Sequence, residues 1–262
     1  MSVQSLTRAF DILRIVADHA NGVGVTSIAQ EVGLHKSTVS RLLGTMEEIG
    51  AVTKLPNYDG YCIGLEILEL ATQVSAQQKL LHLAHPFLVE LTDVTTESTA
   101  LEIPDGNYIH YLDQVQSNHQ IRVNDWVGRR LAMHTVTSGV LFMRDWPAAK
   151  LERYFSAELE TTSQNTTTDL KEMRKKIAQA ELDRYFIEVD VFEVGLTGIS
   201  APIFGADNKI VGAINISGPN FRFPAPEHLH VILERLLKAT ETISNRLKEH
   251  QIKGQEPVIH EG

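Results

Sequence analysis

The chain is short of the residues that staple or anchor a protein. Its one cysteine, Cys62, can form no internal disulfide and no cysteine-based zinc site; it reads as a small buried hydrophobe on a strand. No run of 18 apolar residues occurs, so no spanning helix is expected. The opening residues Met1 to Arg8 lack a secretory leader's apolar core and cleavage site, and a cytoplasmic protein is expected. No repeat at periods of roughly 20–50 residues and no low-complexity tract is present, which excludes solenoids and propellers. Enzyme signatures are missing as well. There is no Gly-x-x-x-x-Gly-Lys phosphate loop, no Gly-x-Ser-x-Gly elbow and no His-Glu-x-x-His metal motif. No catalytic residue, cofactor or metal is therefore expected. His82 and His85 share a helix face without a third ligand and read as a packed or solvated pair. His228 and His230 stand two apart on a helix and do not face each other.

What is present is an ordinary globular composition, 43% hydrophobic and 22% charged, over 262 residues, which excludes wholesale disorder and suggests two domains. The net charge of −9 argues against a non-specific nucleic-acid coat. A sequence-specific binder stays open, because there the location of the basic residues decides.

The apolar spacing predicts a helix over 5–20 with Leu6, Phe10, Leu13 and Ala17 on its inner face. A short helix follows from Thr26 to Val32, capped by Thr26 or Ser27 and ended by Gly33 in a left-handed turn. A third helix over about 36–49 turns Val39, Leu42, Leu43, Met46 and Ile49 inward. Residues 51–64 then alternate around Pro56-Asn57-Tyr58-Asp59-Gly60, a hairpin signal. A connecting helix is expected over 66–81, continued over 82–95 around a break at Pro86.

From Glu97 the period changes to two. Strands at Ser98–Ile103 and Tyr108–Val115 flank the turn Pro104-Asp105-Gly106-Asn107. Helices are expected near 136–144, 147–156 and 169–182, strands near 184–191, 199–204 and 209–217, and a last helix behind Pro226. Leu229, Leu233, Leu236, Thr240, Ile243 and Leu247 form a seam along that helix. The end, Lys253 to Gly262, is expected to fray. A compact unit of about 65 residues thus precedes a larger α+β domain.

Two helices joined by a tight turn, the second with a polar outer face, describe a helix-turn-helix. Ala29 is small where the helices approach, and Gly33 supplies the positive φ of the turn. The polar face of the third helix carries Ser37, Thr38, Ser40, Arg41 and Thr45. Arginine can read a guanine edge bidentately, and the hydroxyls can reach bases or phosphates. A three-helix packing unit with a solvated face is the alternative. The charge pattern opposes it: from Gly33 to Met46 there are His35, Lys36 and Arg41 but no acid. Lys54, Asn57 and Tyr58 near the hairpin tip would suit a wing against the DNA backbone.

The segments Val3-Gln4-Ser5-Leu6-Thr7-Arg8-Ala9-Phe10-Asp11-Ile12-Leu13 and Ile28-Ala29-Gln30-Glu31-Val32-Gly33-Leu34-His35-Lys36-Ser37-Thr38-Val39-Ser40-Arg41-Leu42-Leu43 closely resemble the N-terminal motifs of IclR-type transcriptional regulators. Tyr61-Cys62-Ile63-Gly64-Leu65 looks like the end of that family's wing. The likeness continues through Val127 to Thr135, Gly195 to Phe204 and Val211 to Pro219, and so covers nearly the whole chain. It implies a winged helix-turn-helix over 1–65, a linker helix over 66–81, a GAF-like effector-binding domain with an antiparallel sheet over 82–250, and a flexible tail over 251–262. It further implies a dimer or tetramer that acts on near-palindromic operator DNA under the control of a small molecule, a carboxylate or an aromatic. By position, Ser37, Thr38 and Arg41 would meet the major groove, and Gln4, Ser5 and Arg8 the backbone. Thr26, Lys36, Ser40, Lys54 and Asn57 complete the expected DNA-facing set. His35 departs from the proline common in the family, which bears on how the recognition helix is capped.

In the second domain, Ile214 and Ile216 face one side of a strand while Asn215 and Ser217 face the other. Met133 to Gly139 is hydroxyl-rich and leads into a helix, where backbone N–H groups suit a carboxylate. An ordinary sheet with one wet face is the alternative. The resemblance implies an effector pocket lined by Thr137, Ser138, Gly139, Asn215 and Ser217, with Glu188 and Gly198 on the rim and Val123, Leu131 and Leu196 as apolar wall. Val191-Phe192 replaces an acidic pair common in the family, so a less polar pocket is expected, suited to an apolar or aromatic body. Glu188 could repel a carboxylate or accept a donor. A sensor or enzyme-like module whose N-terminal unit mediates protein contacts remains the other functional class.

Overall fold

The computed structural model describes residues 3–55, 60–72 and 75–252; the hairpin tip at 56–59, with Asn57 and Tyr58, and the tail at 253–262 lie outside the described residues. The chain divides into two compact units, Met1–Ala76 and Gln77–Gly262.

The first unit holds helices α1 (Gln4–Ala17), α2 (Val25–Glu31) and α3 (Lys36–Glu48), strands β1 (Val52–Lys54) and β2 (Tyr61–Ile63), and helix α4 (Leu65–Thr72). Its core joins Ile12 and Val16 of α1 to Ile28, Val39, Leu43 and Met46. The expected inner face of the first helix is not the buried one. Leu6 is 60% and Phe10 53% exposed, Ala17 is exposed and Leu13 half-buried. The helix is apolar on more than one side, and its period alone does not choose which side meets the core.

Both helices of the turn end alike. Gly33 (φ 66°) and Gly50 (φ 73°) follow their C-caps. Leu34 N–H donates to the Ala29 carbonyl and Ala51 N–H to the Met46 carbonyl, at 3.0 and 2.8 Å, so each last turn closes in a Schellman motif. The second motif turns Ile49 outward, 63% exposed, where an inward residue was expected. The α2 cap also differs: Gly24 precedes the helix without a side-chain cap, and Thr26 and Ser27 lie inside it.

The second unit begins along α5 (Ala76–Thr95). The helix expected over 66–81 is therefore two, α4 and α5. Pro86 sits inside α5 without ending it. The interior proline costs about 3 kcal/mol, and Leu80, Ala84, Leu88 and Leu91, buried on both sides of it, hold the helix on the core. Six strands follow in one antiparallel sheet: β3 (Ser98–Asp105), β4 (Tyr108–Val115), β5 (Arg130–Ala132), β6 (Phe186–Val189), β7 (Leu196–Phe204) and β8 (Ile210–Pro219), in spatial order β5-β4-β3-β8-β7-β6. β5 was not anticipated, and β3 runs two residues past its expected end, so only Gly106 and Asn107 turn the hairpin.

One face of the sheet presents Leu101, Ile103, Ile199, Ala201, Ile203, Ile214 and Ile216 to α5 and to α9 (Leu229–Ile252), which buries Ile232, Leu236 and Ile243. The other face is covered by a 3-10 turn (Met133–Thr135) and by α6 (Thr137–Met143), α7 (Ala148–Phe155) and α8 (Leu170–Asp183). Ile214 and Ile216 point into the first core and Asn215 away from it, as the period of two requires.

Candidate DNA-binding face and effector cavity

α3 is anchored by Val39, Leu43 and Met46, all buried, with Leu42 half-buried. That leaves Lys36, Ser37, Ser40, Arg41 and Thr45 exposed along one side, with Thr38 half-buried. Thr45 donates back to the Arg41 carbonyl. His35 caps the helix: its Nδ1 accepts from Ser37 N–H at 3.4 Å and lies 2.8 Å from Ser37 Oγ. Imidazole thus does for this helix end what an oxygen-bearing cap residue commonly does. Behind α3, β1 and β2 pair Val52 with Ile63 and Lys54 with Tyr61, and Lys54 Nζ lies 5.9 Å from the Tyr61 ring centroid. Gln4 and Ser5 are exposed and Arg8 half-buried at the start of α1; Thr26 is exposed on α2. Cys62 is free and half-buried rather than buried.

Sheet register assembles the second site. Glu188 on β6 pairs with Gly198 on β7, which pairs with Ser217 on β8. The next rung sets Ser200 beside Asn215 and Asn215 beside Ala100. A register shift between Leu101 and Glu102 then brings Tyr111 opposite Glu102. On this face lie two small cavities of about 40 and 20 Å³, both bordered by Tyr111, Phe192, Leu196, Asn215 and Ser217. Thr137, Glu188 and Gly198 line the first and Val123, Gln114 and Trp126 the second. A Cβ at position 198 would stand 3.3 Å from Thr137 Oγ1, so glycine keeps this wall open.

Three expected pocket residues stand elsewhere. Gly139 donates its N–H to the Val136 carbonyl at 3.1 Å, and a Cβ there would lie 1.7 Å from the Met133 carbonyl oxygen. Close packing, not ligand binding, requires that glycine. Ser138 is fully buried and Leu131 packs in the adjacent core; neither borders either of these two cavities. The polar strand positions bind one another: Asn215 Nδ2 donates to Thr137 Oγ1 and Ser200 Oγ at 3.0 and 2.9 Å, and Ser217 donates to Asn215 Oδ1.

Residues that the sequence did not single out complete the wall. Trp126 packs edge-on against Phe192, with ring centroids 5.4 Å apart, and lies 6.2 Å from Tyr111. Glu102 is wholly buried, and neither of its oxygens has a well-formed hydrogen bond. Burial raises its pKa to about 7, with the nearby hydroxyls of Ser138 and Tyr111 pulling it partly back. Burial also raises the Glu188 pKa, against the opposing pull of Lys176, whose Nζ lies 2.6 Å from Oε1. The two lone histidines have local partners: His82 Nδ1 lies 2.7 Å from the Gln78 carbonyl oxygen and His85 Nδ1 2.7 Å from Asp113 Oδ2.

A winged pair of helices joined to a sheet domain with a small cavity defines a ligand-responsive DNA-binding protein. Residues 5–56 match the IclR helix-turn-helix domain, and residues 72–245 match the bacterial transcriptional regulator IclR C-terminal domain. The chain belongs to the IclR family of transcriptional regulators. It is 27% identical to the HTH-type transcriptional regulator KdgR of Dickeya chrysanthemi, over 95% of this chain and 81% of that protein. It is 28% identical to the transcriptional repressor IclR of Escherichia coli, over 83% and 80%. Among solved structures, a putative transcriptional regulator from Rhodococcus aligns at 27% identity with a TM-score of 0.70, covering 95% of this chain and 99% of that one. An IclR homolog from Microbacterium hydrocarbonoxydans, complexed with 4-hydroxybenzoate, shares the fold at 21% identity with a TM-score of 0.61, over 94% and 99%.

Proposed function

We propose that this regulator is not an enzyme and acts in the cytoplasm as a symmetric dimer, or a pair of dimers, on a near-palindromic operator. α3 lies in the major groove, and the β1–β2 wing lies on the backbone. The observation that carries this is the exposed face of α3, which holds no acid before Glu47 and Glu48 at its far end. There Lys36, Ser37, Ser40 and Arg41 stand free of the core while Val39, Leu43 and Met46 fix the helix from behind. Among the described residues no helix is long and apolar enough to cross a membrane. The case for a dimer rests on apolar side chains unpartnered in one copy: Leu6 and Phe10 on α1, with Leu65, Leu68 and Leu70 on α4, each more than half exposed. Arg41 reads a base edge. Arg41→Ala should lose on the order of 1–3 kcal/mol per half-site and relax sequence preference, measured by gel shift on cognate and scrambled DNA. Equal weakening on both would assign Arg41 to phosphate alone.

The effector is a small organic molecule with an aromatic body, held on the polar sheet face by Asn215, Ser217, Thr137 and Glu188 between the walls Val123, Leu196, Trp126 and Phe192. The Microbacterium homolog's 4-hydroxybenzoate supports an aromatic class. The two cavities are far smaller than the roughly 300 Å³ or more that such a ligand needs, so entry requires the wall that they share, Phe192 and Leu196 included, to rearrange. Binding and that rearrangement are then one equilibrium. A ligand acts on DNA binding only as far as it prefers one arrangement over the other.

A further inference from the structure

We propose that the effector cavity takes a small aromatic ligand that presents a hydroxyl or amino hydrogen-bond donor to Glu188, and that it discriminates against carboxylates. The proposal rests on the reading of this cavity as the effector site, and it names the ligand's polar end.

Glu188 borders the cavity, and its side chain is 6% exposed. Oε1 is held by Lys176, whereas Oε2 is buried without a partner. A buried acceptor left unpaired is costly, and a donor from the cavity relieves that cost. Gly198 lies between Glu188 and Ser217 on the same rung, and its missing side chain leaves the space from which a ligand reaches the carboxylate.

The wall offers little to an anion. The described lining contains Glu188 and no lysine, arginine or histidine. Lys176, the cation at Glu188, is already paired, and the Arg129 guanidinium is exposed on the Trp126 ring, 5.4 Å from its centroid. Asn215 uses both of its amide hydrogens on Thr137 and Ser200, Ser217 donates to Asn215, and Gln114 Nε2 donates to the Asn124 carbonyl. Thr135 donates to the Ala132 carbonyl, and Tyr111 sets its hydroxyl beside Glu102. In the described lining the Trp126 indole, the Ser98 hydroxyl, which accepts from Ser117 N–H, and the second Gln114 Nε2 hydrogen are the neutral side-chain donors that remain. A second carboxylate would therefore sit unpaired beside Glu188 in a low-dielectric site. A ring with a neutral or cationic donor meets the aromatic side chains Tyr111, Trp126 and Phe192, which suit edge-to-face or stacked packing.

The test is calorimetric titration of the full-length protein with three ring-matched probes: benzylamine, benzyl alcohol and benzoate. Both donors should bind at least about tenfold more tightly than benzoate, a difference of about 1.4 kcal/mol. The order of the two donors tells a cationic from a neutral ligand. Glu188→Gln should weaken benzylamine about tenfold and narrow the gap to benzoate. Benzoate binding as tightly as the donors, an undiminished gap in Glu188→Gln, or no binding by any probe overturns the proposal. Ser217→Leu separates this failure from that of the site itself. If that variant blocks binding but the order is wrong, only the ligand chemistry fails. If it leaves binding unchanged, the cavity is not the effector site.

Discussion

The proposed recognition face and the proposed effector cavity solve opposite problems with polar residues. On α3 the serines, Lys36 and Arg41 are consecutive or a turn apart on one helix, exposed to water, so each is held ready at little cost. On the cavity side of the sheet, Thr137, Ser200, Asn215 and Ser217 come from α6, β7 and β8 and satisfy one another, largely buried, while Glu102 and Glu188 keep unpaired oxygens. A solvated face tolerates single substitutions and reports them in binding. A buried network reports them in stability as well, because each group removed leaves a partner unsatisfied.

The largest effect expected from this difference is the pH dependence at Glu102. In the fold its carboxyl stays neutral up to a pKa of about 7, whereas in the unfolded chain it ionises near 4.5. Below pH 4.5 both states hold the proton and the fold keeps its full stability. As pH rises from 4.5 to 7 only the unfolded chain releases it, and stability falls by roughly 3 kcal/mol. Urea unfolding followed across this range should show that slope in the wild type and its loss in Glu102→Gln; equal slopes would mean the carboxylate is already ionised in the fold.

A smaller effect belongs to the exposed side of the comparison. His35→Ala removes the α3 cap and should cost about 1 kcal/mol in the N-terminal unit, read as a lower melting temperature, with cavity ligand affinity unchanged. Least of all, Lys54→Ala should weaken cognate and scrambled DNA alike and flatten the logarithmic salt dependence by about one unit for each phosphate that the lysine neutralises. A selective loss on cognate DNA would move Lys54 from the backbone to a base.

These two regions also differed in how far the sequence exposed them. The helix-turn-helix could be read locally, since Ala29, Gly33 and the apolar spacing of Val39, Leu43 and Met46 belong to one stretch of chain. The buried side of α1 could not, because Leu6 and Phe10 form a second stripe as regular as Ile12 and Val16. In the sheet domain the alternation at Ile214 to Ser217 sorted two faces correctly. Ser200 obeys the same period on the neighbouring strand and could have been found that way. Tyr111 could not: its place beside Glu102 depends on a register shift in the β3–β4 pair, which no spacing announces. Gly139 carried the right chemistry for a carboxylate site, but the close approach of the Met133 carbonyl requires a glycine there, and its neighbour Ser138 is buried.

The central claim, a paired DNA reader under ligand control, is tested most directly by footprinting the full-length protein on the DNA flanking its own gene, with the solution mass of the complex measured in parallel. Two protected half-sites about 34 Å apart, or a multiple of that, on a near-palindrome, together with at least two chains per DNA, is the predicted result. A monomer protecting a single half-site would contradict it.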